Sequence, residues 1–531
     1  MEEKIKVLEV NNIDLPGRRF NGYDLIQYSL NKKKHVEIRQ AVIYKQSNNN
    51  KVSLLLKNSE QLQMFEKLEN FENDELSIHS NLSITSPALI NSEEYKNADI
   101  IHFHMFHNTK LSLISLLQIC NEKKVVMSIH DPWTVTGRCV HFGECEKWKT
   151  GCKKCQNLNT LFEFKDDNCS SMWKLKQMIY KQINPEIVVS SKYMYDVIKQ
   201  SPLTKHFTNV HIIPLGIDLN KFSKNINQKE ARKKFNIPED NIVLFLRAQE
   251  AFKGTSYIVE ALQMLDTDKK VTILTCDEKN RLEAVENKYN IIDYGRMNNE
   301  ELIHAYNACD VFLMPSLGET FGLMAVEAMA CSKPVVVFNN TALPSVTHAP
   351  ECGVLVENKN SKKLMEAIKE LIENEDERKR RGVLGRKICE ENYNIENYNN
   401  SLIELYKKIP EKKSKNAALS KIVNSSQKDC IKIEHELNKF TKANFKENSV
   451  EYKELIFKKD KYIEGKIDYS NKDVQKIINN YNNNLYNIMT NKRTNKLIVK
   501  IKNAVTLLFT DQDRLKNSIQ YKFNQIFKKK D

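Results

Sequence analysis

Between Lys4 and about Pro410 short apolar runs alternate with stretches of helical periodicity, and this alternation constrains the chain more than any other feature. Runs of that length with little internal polarity are strands buried on both faces, and strands separated by helices make βαβ units around a parallel sheet. In the first half the strand candidates are Ile5 to Val10, Ile100 to His104, Val125 to His130, Ile187 to Ser190 and His211 to Pro214. In the second half they are Ile242 to Arg247, Val271 to Thr275, Ile291 to Tyr294, Val311 to Pro315, Val335 to Phe338 and Val354 to Val356. The polar segment Asp218 to Asp240, with Pro238, reads as the linker between them. The expectation is an α/β protein of two facing Rossmann-like domains, 1–217 and 218–394. A helix over 395–410 closes back on the first domain, and a basic, mainly helical extension occupies 411–531. Such sheets bind ligands at the carboxyl ends of their strands, so two of them face to face form one cleft.

The net charge of +14 sits almost wholly in the extension. Residues 411–531 hold 27 Lys/Arg against 14 Asp/Glu, and the rest of the chain 55 against 54. A surface of that sign suits an anionic membrane, a polyanionic glycan or nucleic acid, and charge alone does not choose among them. In the extension Ile519, Phe523, Ile526 and Phe527 recur at helical spacing beside Lys528 to Lys530, which would suit a membrane surface; a small helical domain with a solvated basic face is the alternative. The start, Met1 to Lys6, has no apolar signal core, and no run approaches the ~20 apolar residues of a membrane span. A cytoplasmic protein is expected.

The segment Gly318-Glu319-Thr320-Phe321-Gly322-Leu323-Met324-Ala325-Val326-Glu327 lies between a buried strand and a buried Ala/Met-rich helix. The free amides of Phe321, Gly322 and Leu323 at that helix start make an anion site, and Gly322 lets a phosphate approach the backbone. Glu319 falls on the turn between that strand and helix, and if Glu327 is two turns deeper it lies roughly 12 Å along the helix axis from Glu319. That is too far for the ~5 Å carboxyl pair of a retaining glycosidase, and suits the two ends of one long ligand.

This segment resembles the E-x7-E signature of glycosyltransferase family 4, retaining enzymes of the GT-B fold, certain members of which act in surface polysaccharide assembly. The resemblance implies that Glu319 contacts the transferred sugar and Glu327 the ribose hydroxyls, with Thr320, Phe321, Gly322 and Leu323 around the donor. It also implies that Arg247, ending a strand, and Lys253, before Gly254, neutralise the donor diphosphate without a metal, and that His130 in Ser128-Ile129-His130-Asp131-Pro132-Trp133 stands near the sugar. A purely structural His130 is the alternative reading. The turn Leu15 to Tyr23 resembles the loop that shapes the acceptor pocket, placing Gly17 by the donor phosphate and Asn21, with His104, on the acceptor side. Pro214-Leu215-Gly216-Ile217-Asp218 resembles the family's hinge. The implied reaction is front-face transfer from a nucleotide-sugar donor to a glycan or lipid-linked acceptor, with no catalytic cofactor and no nucleic acid partner. A sugar-nucleotide epimerase and a catalytically silent GT-B subunit are the rival readings.

Cys139, Cys145, Cys152 and Cys155 fall within an insertion at about 137–156, with Cys169 further on. Four thiols so close, two of them as C-x2-C, fit a tetrahedral structural zinc; reduced free thiols are the alternative.

Overall fold

The computed structural model describes residues 4–15, 22–31, 35–71, 73, 77–80, 83, 85–156, 158, 165–249 and 252–410. Gly17, Asn21 and the extension 411–531 lie outside the described residues.

Two parallel sheets carry the fold. The first contains β1 (Ile5–Val10), β2 (Val36–Val42), β3 (Val52–Leu54), β4 (Ile100–His104), β5 (Lys124–Ile129), β6 (Glu186–Val189) and β7 (Val210–Ile212), in the order β3-β2-β1-β4-β5-β6-β7. The second contains β8 (Ile242–Ala248), β9 (Val271–Asp277), β10 (Asn290–Asp293), β11 (Val311–Met314), β12 (Val335–Phe338) and β13 (Val354–Val356), in the order β10-β9-β8-β11-β12-β13. Every strand anticipated from sequence is present within one or two residues of its bounds. β2 and β3 were not anticipated. In β2 Glu37 and Arg39 interrupt the apolar run, because that strand lies next to the sheet edge and turns these two side chains outward; β3 is the edge itself.

Alternation along the strands sorts the core. Leu244, Leu246, Ile273, Leu313, Val336 and Phe338 pack under the outer helices of the second sheet. Leu8, Val10, Ile101, Phe103 and Met127 do the same for the first. The opposite faces, with Val7, Ile100 and Val126 from one sheet and Val243, Phe245, Phe312 and Val335 from the other, join one continuous core that also takes in Tyr398, Leu402 and Tyr406 of the helix Ile395–Lys408. That helix starts at Asn394, whose side chain caps the Glu396 amide at 2.9 Å.

The chain crosses between the sheets twice, and the crossings run side by side. Ile217 N–H donates to Tyr393 O at 2.8 Å and Ile395 N–H to Ile217 O at 3.0 Å. A side chain at Gly216 would run into the Ile395 backbone, so glycine permits this approach. The segment read as a linker is partly folded. Its helix Gln228–Lys234 packs on the second domain, where Arg232 pairs with Asp310 at 2.7 Å and donates to Ala308 O at 3.2 Å. The polar composition that suggested a linker is the outer face of this helix together with the charge pair that fixes it.

The strand order reverses between β1 and β4 in one sheet and between β8 and β11 in the other. These reversal points, at the carboxyl ends of the strands, are where an open α/β sheet leaves a crevice.

Candidate functional site

The second domain builds one wall. β8 ends in Arg247 and Ala248, and the chain reaches Lys253 and Gly254 before the helix Thr255–Met264. Gly254 has φ +72° and faces Pro315 O, which leaves no room for a Cβ. This close fit brings Lys253 to the loop that follows β11, and its ammonium pairs there with the Glu319 carboxylate, both side chains largely buried. Leu317 N–H donates to Phe252 O at 2.7 Å, fastening the two loops a second time. Arg247 is engaged as well, its Nε and Nη2 lying 2.8 and 2.7 Å from Asp277 Oδ2 at the end of β9. Both expected diphosphate cations are therefore at the strand ends of the reversal point, each held by a carboxylate.

Helix Leu323–Ala330 begins at Gly322, φ +95°, a conformation in which a Cβ would collide with Leu343. Among the described residues no hydrogen bond is recorded to the amides of Phe321, Gly322 and Leu323. The helix starts at Leu323, so Glu319 stands on the loop before it, as expected, and Glu327 lies within the helix. Glu327 is 7 % exposed and accepts from Tyr306 Oη at 2.9 Å. Burial, reinforced by the Glu327 charge, raises the Tyr306 hydroxyl well above its usual range, so it remains a donor.

The first domain builds the facing wall. Thr320 Oγ1 donates to His130 O at 2.6 Å, and Ser191 Oγ donates to Thr320 O at 2.6 Å, so the Glu319 loop is tied across the cleft to the end of β5. His130 is half-buried, and burial, aided by the neighbouring His104, keeps its imidazole neutral.

Behind His130 lies a buried polar network that the sequence reading did not detect. Glu9 on β1 is 0 % exposed; its Oε1 accepts from Tyr406 Oη at 2.9 Å and lies 3.1 Å from His102 Nδ1, and its Oε2 lies 2.8 Å from His104 Nε2. His104 Nδ1 is 3.2 Å from His130 Nε2. Burial alone would raise the Glu9 carboxyl, but the two imidazoles outweigh it and hold it at about 2. A carboxylate on His104 Nε2 requires a proton there; in the neutral tautomer with that proton, His104 Nδ1 accepts and His130 Nε2 donates. Glu9, His102 and His104 also have cation-binding geometry, their ligand atoms lying within 4.8 Å of one another. Tyr406 already partners His102 Nδ1 at 2.6 Å, and the other ring nitrogens are engaged by Ser128, 2.8 Å from His102 Nε2, and by His130, 3.2 Å from His104 Nδ1. His104, expected to line the acceptor side, is 1 % exposed, lies between Glu9 and His130 in this network, and lines a small cavity with Gly22, Asp24 and Leu25.

After β5, Asp131 caps the Trp133 amide at 2.9 Å. Burial pushes its carboxyl up to about 7, against the Trp133 hydrogen bond and the charge of Lys176. Lys176, itself fully buried, donates to Trp133 O at 2.6 Å and Thr136 O at 2.9 Å, anchoring this loop from beneath.

The cysteine insertion follows. Cys155 lies within interaction range of Cys139, Cys152 and Cys169, and its hydrogen bond to the Cys139 thiol, with burial, raises that thiol. Cys145 joins through Cys152. Gly137 N–H donates to Cys152 Sγ at 3.2 Å, as amides do to ligating sulfur. Among the described residues no three of these thiols bring their sulfurs within 4.8 Å of one another, so the cysteines cluster without closing the tetrahedral set expected of Cys139, Cys145, Cys152 and Cys155.

The comparisons with known proteins agree with this layout. Residues 227–388, within the second domain, match the family model of glycosyl transferases group 1. The chain is 24% identical over 260 residues to the putative colanic acid biosynthesis glycosyl transferase WcaC of Escherichia coli K12, covering 46% of this chain and 61% of that protein. It spans about half the length of several other curated relatives. Among solved structures, sucrose-phosphate synthase from Thermosynechococcus elongatus superposes with a TM-score of 0.55 at 18% identity, over 76% of this chain and 98% of that one. HepE from Anabaena, in complex with UDP-glucose, gives 0.52 at 14% identity, over 76% and 99%. The fold is that of the GT-B glycosyltransferases. Among the described residues no helix is long and apolar enough to cross a membrane.

Proposed function

We propose that the protein is a retaining glycosyltransferase that moves a sugar from a nucleotide-sugar donor onto a glycan or lipid-linked acceptor in polysaccharide assembly. The observation that carries this reading is the Lys253–Glu319 ion pair beside the open helix start at Phe321 to Leu323, at the strand reversal of the second sheet. A diphosphate arriving there draws Lys253 and Arg247 toward its oxygens and takes the helix amides. Glu319 is thereby released to accept hydrogen bonds from sugar hydroxyls. Glu327, with one oxygen held by Tyr306, presents its carboxylate to the ribose. His130 faces the sugar from the other domain as a neutral imidazole. The colanic acid relative and the UDP-glucose bound to HepE support the substrate class.

In the proposed step the acceptor oxygen bonds to the anomeric carbon on the face from which the donor phosphate leaves. The C–O bond to phosphate breaks with its electron pair on the nucleoside diphosphate, whose oxygen takes the acceptor proton. Arg247 and Lys253 stabilise the charge that develops on the leaving group, and the step needs no metal. We infer a reaction on the cytoplasmic side, where nucleotide-sugar donors are found, and the excess of Lys/Arg in 411–531 suits an anionic membrane face that carries a lipid-linked acceptor. Incubation with labelled UDP- and GDP-sugars and a lipid-linked glycan fraction tests the reading. It predicts free nucleoside diphosphate and a labelled product of retained anomeric configuration. An epimerised nucleotide sugar, or no turnover of any donor, overturns it.

A further inference from the structure

The cysteine insertion belongs to the first domain, yet its tip rests on the second. Its base is held by Trp148, stacked on Phe142 at 5.1 Å and accepting through its carbonyl from Trp173 Nε1 at 3.0 Å. The neighbouring His141 turns the opposite way, across the cleft. Its ring lies 4.8 Å from the Phe252 ring, and its Nδ1 is 3.1 Å from where a Cβ on Gly318 would stand. Phe252 precedes Lys253 and Gly318 precedes Glu319, so the imidazole sits against both shoulders of the ion pair that marks the donor wall. Gly318 leaves space that any side chain would contest. Glu144 at the same tip pairs with Lys359 of the second domain at 2.7 Å, a second tie across the cleft.

We propose that His141 is a donor-binding residue contributed by the first domain, its imidazole N–H reaching a phosphate oxygen of the nucleotide sugar beside Lys253. The insertion is then an arm that completes the donor pocket from across the cleft. The arm packs on its own domain through Phe142 and Trp148, whereas His141 packs on the second domain at Phe252, where a ligand between the walls gives that placement a use. The partly exposed ring offers one donor and one acceptor to a diphosphate–sugar junction. This inference rests on the nucleotide-sugar reading of the site.

The test is calorimetric titration of the full chain with a panel of UDP- and GDP-sugars and with UMP and GMP. His141→Phe keeps a ring against Phe252 and removes both nitrogens; His141→Gln restores an amide donor. The expected result is at least about a tenfold loss of nucleotide-sugar affinity in His141→Phe, unchanged monophosphate affinity, and partial recovery in His141→Gln. Wild-type affinity for nucleotide sugars in His141→Phe, or equal loss for monophosphates and nucleotide sugars, overturns the inference alone. A wild-type protein that binds none of the panel overturns the nucleotide-sugar reading beneath it.

Discussion

Glu9→Gln is the sharpest perturbation of the buried network, because it changes charge and hydrogen-bond direction with almost no change of volume. The carbonyl of the substituted side chain can still accept from Tyr406 and His102, but its amide nitrogen faces His104 Nε2, which in the wild type lies 2.8 Å from a carboxylate oxygen. Two donors then meet. If His104 moves its proton to Nδ1, the conflict passes to His130 Nε2, 3.2 Å away. Either way one charge-assisted bond is lost and one buried donor is left unsatisfied, a cost of about 2–5 kcal/mol. Tyr406→Phe removes a single hydroxyl and should cost about 0.5–1.5 kcal/mol. The two sites share one carboxylate, so the double variant should depart from additivity by more than about 0.5 kcal/mol. Urea unfolding followed by tryptophan fluorescence at neutral pH measures all four corners of the cycle. The sign with pH follows from the carboxyl being about 2 in the fold, below its ordinary value of 4.5. Its contribution is fully present above the unfolded value and is lost as pH falls through the folded one, so wild type and Glu9→Gln should converge in acid. A Glu9→Gln protein as stable as wild type at pH 7, or strictly additive variants, would refute the network as drawn.

Asp131 behaves in the opposite sense. Its folded carboxyl, at about 7, lies above the ordinary value of 3.8, so folding favours the protonated form and stability declines as pH rises between those values. Asp131→Asn should flatten that decline in denaturation curves taken from pH 4 to 8, and an unchanged slope would count against the assignment. Gly254→Ala places a Cβ against Pro315 O at φ +72° and should destabilise the second domain by at least about 1–3 kcal/mol, read as a lowered thermal midpoint. Elemental analysis of the purified protein should find stoichiometric zinc, lost in Cys155→Ser; metal-free protein with every thiol titratable would dismiss the metal.

Strands such as β8, β11 and β12 were legible because parallel strands covered on both faces must be apolar throughout, as Val335 to Phe338 is. Glu319, Glu327, Arg247 and Lys253 stood out because their spacing around glycines is local. The network behind His130 was not legible. A lone Glu9 inside an apolar strand reads as an outward residue, and its partner Tyr406 lies 397 residues away on the returning helix. His141 was hidden for another reason, since the cysteines around it point to metal and nothing local says that the arm reaches Phe252 and Gly318. The helix Gln228–Lys234 was read as linker because its buried contact is the guanidinium of Arg232 and not an apolar stripe.

The central claim, a nucleotide-sugar site at the strand reversal of the second sheet, is tested most directly by calorimetry with UDP- and GDP-sugars on wild type, Lys253→Ala and Glu327→Ala. The account predicts saturable binding of at least one nucleotide sugar by the wild type and a loss of about tenfold or more in each variant, from one charge-assisted hydrogen bond removed in each. Variants that bind that donor as tightly as the wild type would contradict it.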